Sequence, residues 1–447
     1  MQRVGLLFNY DWDALAFARA CRAFEVDQAG FDLFAFPSNA RLIGFDLDRF
    51  ANAQAARGRR RGWAGVLSHH EQFGALAAAL VAERLGLPGT SVEAVLACQH
   101  KLHARRVLDE VCPEANVAHR PLAAAYGADI PDGLSYPSYV KPIKAAFSVL
   151  ARAVRDRAEL QAHTRFGASE LWVIRRLVEP FERIVRARLP QAGSAHAMLL
   201  EEPVHAAQFN LDGWVFDGQA HAIGIVDAVM YPGTQAFMRW EVPSRLPAAV
   251  AERALDVARR FLAAVGFRHG MFNMEFFFDA ASDRLSAIEF NPRLASQFSD
   301  LYQRVTGLDP HAMSIALALG RDPREVPRTA PVAGAAASFV YRVFDAEDAP
   351  RMPAPWQQRE MKRRFPDALL FAYPKSKSSI ARDFKWLGSY RYGILHLDAR
   401  DEAQLRQRCC EASALLGWTP PYADRLGGQI ETCTAAGRPS IAQEIPI

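Results

Sequence analysis

Two apolar stretches carry acids where a buried strand least tolerates them. They are Gly270-Met-Phe-Asn-Met-Glu275-Phe-Phe-Phe278 and Leu285-Ser-Ala-Ile-Glu289-Phe-Asn291-Pro292-Arg293, joined by the polar residues 279–284. Both are rich in strand formers, and the connection reads as a β-hairpin centred near Ser282. Folding about that centre sets Glu275 opposite Glu289, and side-chain alternation puts Asn291 on the same face as Glu289. Like charges directly opposed in a sheet are destabilising on their own. Two carboxylates and an amide oxygen so placed suit a hard divalent cation such as magnesium, which takes a few protein oxygens and leaves the rest of its shell for phosphates.

A polyphosphate also needs cations. Tyr136-Pro-Ser-Tyr-Val140-Lys141-Pro142 ends a short apolar strand in a lysine and runs on through Ile143-Lys144-Ala-Ala-Phe-Ser148, a small-residue loop able to cover phosphates. A second lysine, Lys101 in Cys98-Gln-His-Lys101-Leu-His-Ala-Arg105, sits on an apparent helix. A single lysine is ordinarily a solvated surface residue, so it is the order of elements along the chain that carries weight. Between Lys141 and the hairpin comes Ala197-Met-Leu-Leu200-Glu201-Glu202-Pro203-Val204. Its proline cannot donate to a sheet ladder, so the strand breaks out there and frees backbone groups for an adenine edge.

Lysine, lysine, a strand ending Glu-Glu-x-Val, a glutamate on a strand and then Glu-x-Asn-Pro-Arg together resemble the ATP-grasp superfamily. Within it the chain is most similar to the carboxylate-amine ligases, which include the L-amino-acid ligases and D-alanine–D-alanine ligases and are related to biotin carboxylase. The likeness runs from about residue 95 to 325. It implies that Lys101, Lys141 and Ser148 contact ATP phosphates and that Glu201, Glu202 and Val204 line the adenine-ribose pocket, with Gln208 at the ribose. It further implies that Glu275, Glu289 and Asn291 hold magnesium, or manganese in its place, and that Arg293 and Lys141 act catalytically at the γ-phosphate. The partners implied are a small carboxylate and an amine of the amino-acid class. Three departures stand out: Gln208 replaces the usual ribose-binding glutamate, the covering loop lacks glycines, and Leu294-Ala-Ser296-Gln297-Phe298-Ser299 follows where relatives often carry glycines. Two other readings remain open: bicarbonate activation of the biotin-carboxylase kind, and a non-catalytic nucleotide-binding regulator.

The rest of the chain must position these groups. Its 447 residues suggest about three domains, and half of them are apolar, enough for ample core. With 53 basic and 49 acidic residues the net charge of +4 does not suggest a nucleic-acid binder. No apolar window is long enough for a membrane span. Six cysteines, Cys21, Cys98, Cys112, Cys409, Cys410 and Cys433, show no metal spacing and follow no signal peptide, which fits a cytoplasmic protein. A homodimer is the general expectation for an enzyme of this kind.

The expected fold class is α/β and α+β multidomain: an N-terminal Rossmann-like parallel-sheet domain at 1–95, an ATP-grasp domain of two α+β subdomains at 96–325, and a small α+β domain at 326–447. The subdomain division is placed at 116–204 and 205–325. In the first domain strands are expected at 3–8, 31–36 and 65–68, with helices at 13–25 and 72–85. The run Arg57-Gly-Arg59-Arg60-Arg61 reads as a solvated loop, and His69-His70-Glu71 as a helix start rather than a metal site, since no third ligand follows at helical spacing. His70 or Glu71 could still touch substrate, because loops at strand C-termini face clefts. Cleft positions in the later chain include His269, Arg284, Ser296, Gln297 and Ser299.

Overall fold

A computed structural model describes residues 1–20, 24–33, 38–122, 128–145, 150–345, 351–426, 429–433 and 439–442. The N-terminal strands β1 (Gln2–Leu7), β2 (Phe24–Ala29) and β3 (Trp63–Leu67) form a parallel sheet in the order β2-β1-β3, with helices α1 (Asp11–Ala20), α2 (Leu47–Arg61) and α3 (Gly74–Leu85) around it. Two expectations need correction. The first helix is described over Asp11–Ala20 and does not reach Phe24, where the second strand begins; that strand is Phe24–Ala29 rather than 31–36, Phe31–Leu33 are irregular, and 21–23 and 34–36 lie outside the described residues. Parallel pairing with β1 decides this, a long-range contact that local composition does not announce.

The arginine run is not a loop. It is the last turn of α2, which starts on the Asp46 side chain accepting from the Arg49 N–H and ends on Gly62 in the left-handed region at φ 65°. After Leu47 its buried stripe is made of small residues, Ala51, Ala55 and Gly58, so the apolar period is faint. Arg61 and Arg57 turn back onto Asp27 of β2 at 2.5 and 3.6 Å.

Helices α4 (Val92–Gln99) and α5 (Lys101–Val111) lead into an antiparallel sheet of β4 (His119–Leu122), β5 (Ser138–Pro142), β6 (Arg152–Val154) and β7 (Met198–Glu201), ordered β4-β7-β5-β6. Helices α6 (Arg157–Thr164) and α7 (Ala168–Arg188) lie between β6 and β7. Next come β8 (Ala207–Phe216), β9 (Gln219–Met230), β10 (Phe237–Val242), the arginine-rich α8 (Ala248–Ala264), β11 (Gly270–Asp279) and β12 (Arg284–Asn291). After α9 (Ser299–Thr306) and α10 (Pro310–Ala318) follow β13 (Ala335–Val343), α11 (Pro355–Arg364), β14 (Leu369–Ala372), α12 (Lys377–Leu387), β15 (Tyr390–Ala399) and α13 (Glu402–Leu416). Strands on both sides of residue 325 share one eight-stranded antiparallel sheet, ordered β12-β11-β8-β9-β10-β13-β15-β14. The chain closes in a small antiparallel sheet of β16 (Ala423–Leu426), β17 (Gln429–Cys433) and β18 (Pro439–Ala442). Parallel and antiparallel sheets thus coexist, as the mixed fold class requires. Among the described residues no helix is long and apolar enough to cross a membrane.

One face of the large sheet packs on α8 through Phe261, Phe276 and Phe290, with the Phe261 and Phe290 rings stacked 3.7 Å apart. The other face is apolar in its middle, where Val226, Ala228, Trp240 and Val340 pack under Trp12 and Phe298, and polar at both ends.

Candidate active site

The β11–β12 hairpin forms with the register expected: Glu275 pairs with Glu289, and Asn273 with Asn291. Its turn is built locally. Asp279 accepts from the Ala281 N–H and the Ser282 hydroxyl, and Asp283 takes the left-handed conformation at φ 53°. A bulge after Glu275 restores the alignment that a turn pairing Asp279 with Arg284 would have shifted by one residue.

Strand β8 extends the acidic row, because Asn210 pairs with Glu275 and Asp212 with Asn273. Two rows therefore cross the sheet on one face: Asn210, Glu275, Glu289, and beneath them Asp212, Asn273, Asn291. Sequence reasoning missed Asn210, Asp212 and Asn273. The signal was present as polar residues at every second position, Gln208, Asn210, Asp212 and Asn273, Glu275, in otherwise apolar strands.

The lower row is a hydrogen-bonded chain. Asp212 accepts from the Tyr302 hydroxyl at 3.0 Å, from Asn273 Nδ2 at 3.1 Å and from the Ala295 N–H at 3.3 Å. Asn291 Nδ2 in turn donates to Asn273 Oδ1 at 3.2 Å and to Glu289 at 3.4 Å. Burial pushes the Asp212 carboxyl up to about 7, with the Tyr302 and Asn273 donors pulling the other way. Asp212 thus ties Asn291, through Asn273, and the loop after Arg293 to one anchor.

Lys101 is the first residue of α5, whose N-cap is the His100 side chain accepting from the His103 N–H. That start aims its ammonium at Glu289, 3.0 Å away, and at the Ala145 carbonyl, also 3.0 Å. Burial works against the charge of Lys101, but Glu289 outweighs it and the pKa is raised. Burial likewise opposes ionisation of Glu289, yet Lys101, Lys141 and Arg293 overcome it and hold that carboxyl near 2. Glu275 goes the other way: burial, then repulsion from Glu289, push it up to about 8.

Strand β7 ends at Glu201, and residues 202–205 leave the sheet as Pro203 requires. The buried Glu201 carboxylate does not face outward; it is clamped by Lys141 at 2.8 Å and Arg105 at 2.6 Å. Burial opposes its ionisation, and these two cations outweigh it, holding it at about 2. Burial lowers Lys141 itself to about 8. Arg105, not singled out in the sequence, also donates to Asn116 and to the carbonyls of Ala287 and Ile288, joining α5 to β12. Glu202 pairs with Arg284. The Gln208 amide donates to Glu275 at 2.9 Å. Ser148 lies outside the described residues.

Arg293 reaches the turn after β3, where its Nε donates to Glu71 at 3.0 Å. Glu71 also receives Gln99 at 2.9 Å and approaches Lys144 at 3.7 Å. Of the other cleft positions, Ser296 accepts from Trp12, Gln297 donates to Ser338, and His269 bonds the Leu317 carbonyl. The Ser299 hydroxyl is buried with no partner among the described residues. His69 joins Asp13 and His311, each ring nitrogen 3.0 Å from the same Asp13 oxygen. Its companions come from 56 residues before it and from α10, not from helical spacing. The second ring nitrogen of His69 meets Ser314 at 3.1 Å, so the imidazole is fully used in pinning β3 to α1 and α10.

The donor set fits a hard divalent ion: two carboxylates and an amide in register, with Asn210 Oδ1 buried beside them and lacking a partner among the described residues. No family model matches the chain. Among solved structures it superposes on an L-amino acid ligase from Bacillus licheniformis with a TM-score of 0.69 at 17% identity, covering 92% of this chain and 97% of that one. A biotin carboxylase–βγ-ATP complex from Campylobacter jejuni follows with a TM-score of 0.60 at 16% identity, covering 92% and 91%. The fold is that of the ATP-grasp ligases. Curated relatives agree. Carnosine synthase 1 of Gallus gallus is 29% identical over 266 residues, 57% of this chain and 27% of the relative. A D-alanine–D-alanine ligase of Synechococcus is 31% identical over 159 residues, 35% of this chain and 40% of the relative. The matched stretch spans less than half the length of each of these two relatives. In ATP-grasp terms, the acidic rows lie on the large sheet, Lys141 and Glu201 on the four-stranded sheet, and Lys101 at the start of the helix between the N-terminal unit and both.

Proposed function

We propose that the protein is an ATP-dependent carboxylate-amine ligase that forms an amide through an acyl phosphate and releases ADP and phosphate. The observation that carries this reading is the register that sets Glu275 against Glu289 with Lys101 on one side and Arg293 at the strand end. Carboxylates resist amines because oxide is a poor leaving group. Phosphorylation removes that obstacle and needs charge neutralisation rather than a protein nucleophile. A substrate carboxylate oxygen attacks the γ-phosphorus as the bond to ADP breaks; the amine nitrogen then attacks the carbonyl carbon as phosphate leaves and the amine loses a proton.

Glu275, Glu289 and Asn291, with Asn210 beside them, would hold magnesium, which when bound neutralises triphosphate oxygens. Lys101 keeps Glu289 ionised, the state that ligates a cation. Lys141 adds positive charge at the end of the four-stranded sheet, beside Glu201. Arg293 offers a planar fork to carboxylate and phosphoryl oxygens, and Glu71 fixes its direction. Pro203 and Val204, leaving the sheet after Glu201 and Glu202, give the adenine-ribose pocket its edge. The chain divides on this reading at 1–95, 96–325 and 326–447.

An ADP-release screen of amino acids, singly and in pairs, tests the reaction. Glu289→Gln is expected to abolish ADP release in the productive mixture, and near-normal turnover in that variant would exclude the metal assignment.

A further inference from the structure

The junction of α1, β3 and α10 buries a negative charge with no permanent cation to answer it. Asp13 lies on α1, His69 just after β3 and His311 in the first turn of α10, and all three side chains are buried. Burial opposes ionisation of Asp13, yet the two rings outweigh it and hold the carboxyl well below its ordinary range. Its ion partners among the described residues are those two rings, with no lysine or arginine. Burial lowers His69 against the pull of Asp13, so that ring is uncharged near neutral pH. A buried carboxylate left beside an uncharged ring is costly, and a cation at the shared oxygen removes that cost.

The surrounding hydrogen bonds set where the protons lie. Ser314 has one hydroxyl proton and gives it to the His311 carbonyl at 2.8 Å, so towards His69 Nε2, 3.1 Å away, it accepts. His69 therefore carries its proton on Nε2 and turns a lone pair from Nδ1 onto Asp13 Oδ1 at 3.0 Å. His311 Nε2 meets the same oxygen, also at 3.0 Å. Asp13 Oδ2 accepts from the Tyr10 N–H at 3.1 Å. His69 and Asp13 are thus each backed by an outer hydrogen bond, the arrangement that orients metal ligands.

The spacing suits an ion as well. One oxygen and two ring nitrogens all lie within 4.8 Å of one another. An ion about 2.1 Å from each donor sees a pair 3.0 Å apart at roughly 90°, the angle of a facial site built from two histidines and one carboxylate. The third ligand that local spacing could not supply arrives through the fold, from α1 and α10.

We propose that Asp13, His69 and His311 bind a divalent transition-metal ion such as zinc, which staples β3 to α1 and α10. Two imidazole nitrogens select such an ion over magnesium, which takes oxygen ligands, so this site differs in chemistry from the acidic rows of the large sheet. Its role is structural. Glu71, two residues after His69, receives Arg293, so an ion that fixes the turn after β3 also steadies that contact.

The test uses the full-length protein, freed of any metal-binding tag and stripped with dipicolinate. Cobalt(II) added back should give visible d–d bands that saturate at about one equivalent per chain, and zinc(II) should raise the melting temperature, with magnesium doing neither. His311→Gln and Asp13→Asn should each weaken cobalt binding by more than the roughly 10–100-fold that loss of an outer partner costs. Cobalt and zinc both failing to bind the wild type at large excess overturns the inference, as does full uptake by the two variants. Loss of the ion in Glu289→Gln instead places it on the acidic rows and likewise overturns the inference. If both junction variants fail to fold, X-ray absorption on the zinc-loaded wild type decides: imidazole scattering in the first shell supports the assignment, and a shell without imidazole overturns it.

Discussion

Glu275 gives the most quantitative handle on the site. Its carboxyl is pushed up to about 8 by burial and by Glu289, so near neutral pH it is mostly protonated, whereas a cation ligand must be ionised. Loading the site therefore expels a proton. With a value of about 8, roughly 0.9 proton is released per site at pH 7 and about 0.1 at pH 9. The cost of ionising Glu275 is about 1.4 kcal/mol at pH 7 and about 2.7 kcal/mol at pH 6, at about 1.36 kcal/mol per pH unit. The apparent affinity for manganese with a non-hydrolysable ATP analogue should rise about ninefold from pH 6 to 7, about fivefold from 7 to 8 and less than twofold from 8 to 9. Titration calorimetry in two buffers of different ionisation enthalpy reads the proton directly. Glu275→Gln should bind the ion more weakly and release no proton. The sign for stability follows from the same shift. A carboxyl raised above its ordinary 4.5 favours the fold at low pH, and that contribution is lost as pH rises towards 8. The ligand-free Glu275→Gln variant should accordingly melt above the wild type at pH 8. Affinity flat from pH 6 to 9, with no proton released, would refute the reasoning.

Substitutions at two further positions probe the frame. Arg105→Ala strips the buried Glu201 of one of its two cations and takes the guanidinium donor from the Ala287 carbonyl, so it should cost about 3–5 kcal/mol by denaturant unfolding. Arg105→Lys cannot span the same four acceptors and should recover only part of that. Tyr302→Phe removes one of three donors to the buried Asp212, a loss of about 1–3 kcal/mol in the same assay.

What could be read from the chain was what local chemistry fixes. Asp279 and Ser282 define the hairpin turn, Pro203 ends its strand, and alternation places Asn291 with Glu289; all of these act within a few residues. The contacts that aim the site act at long range and left no local trace. Arg293 meets Glu71 from 222 residues away, and His311 meets Asp13 from 298. The second N-terminal strand was misplaced because pairing with β1, not composition, decides it. The arginine run was misread because the apolar stripe of α2 beyond Leu47 is built of alanine and glycine. The hydrogen bond from Gln208 to Glu275 is likewise set by the pairing of β8 with β11 and has no local signal.

The chemistry itself is tested most directly by isotope transfer. A productive acid labelled with oxygen-18 in its carboxylate is turned over with ATP and its amine, and the released inorganic phosphate is analysed by mass spectrometry. Activation as an acyl phosphate predicts one labelled oxygen in each phosphate. Phosphate free of label, at normal product yield, would contradict it.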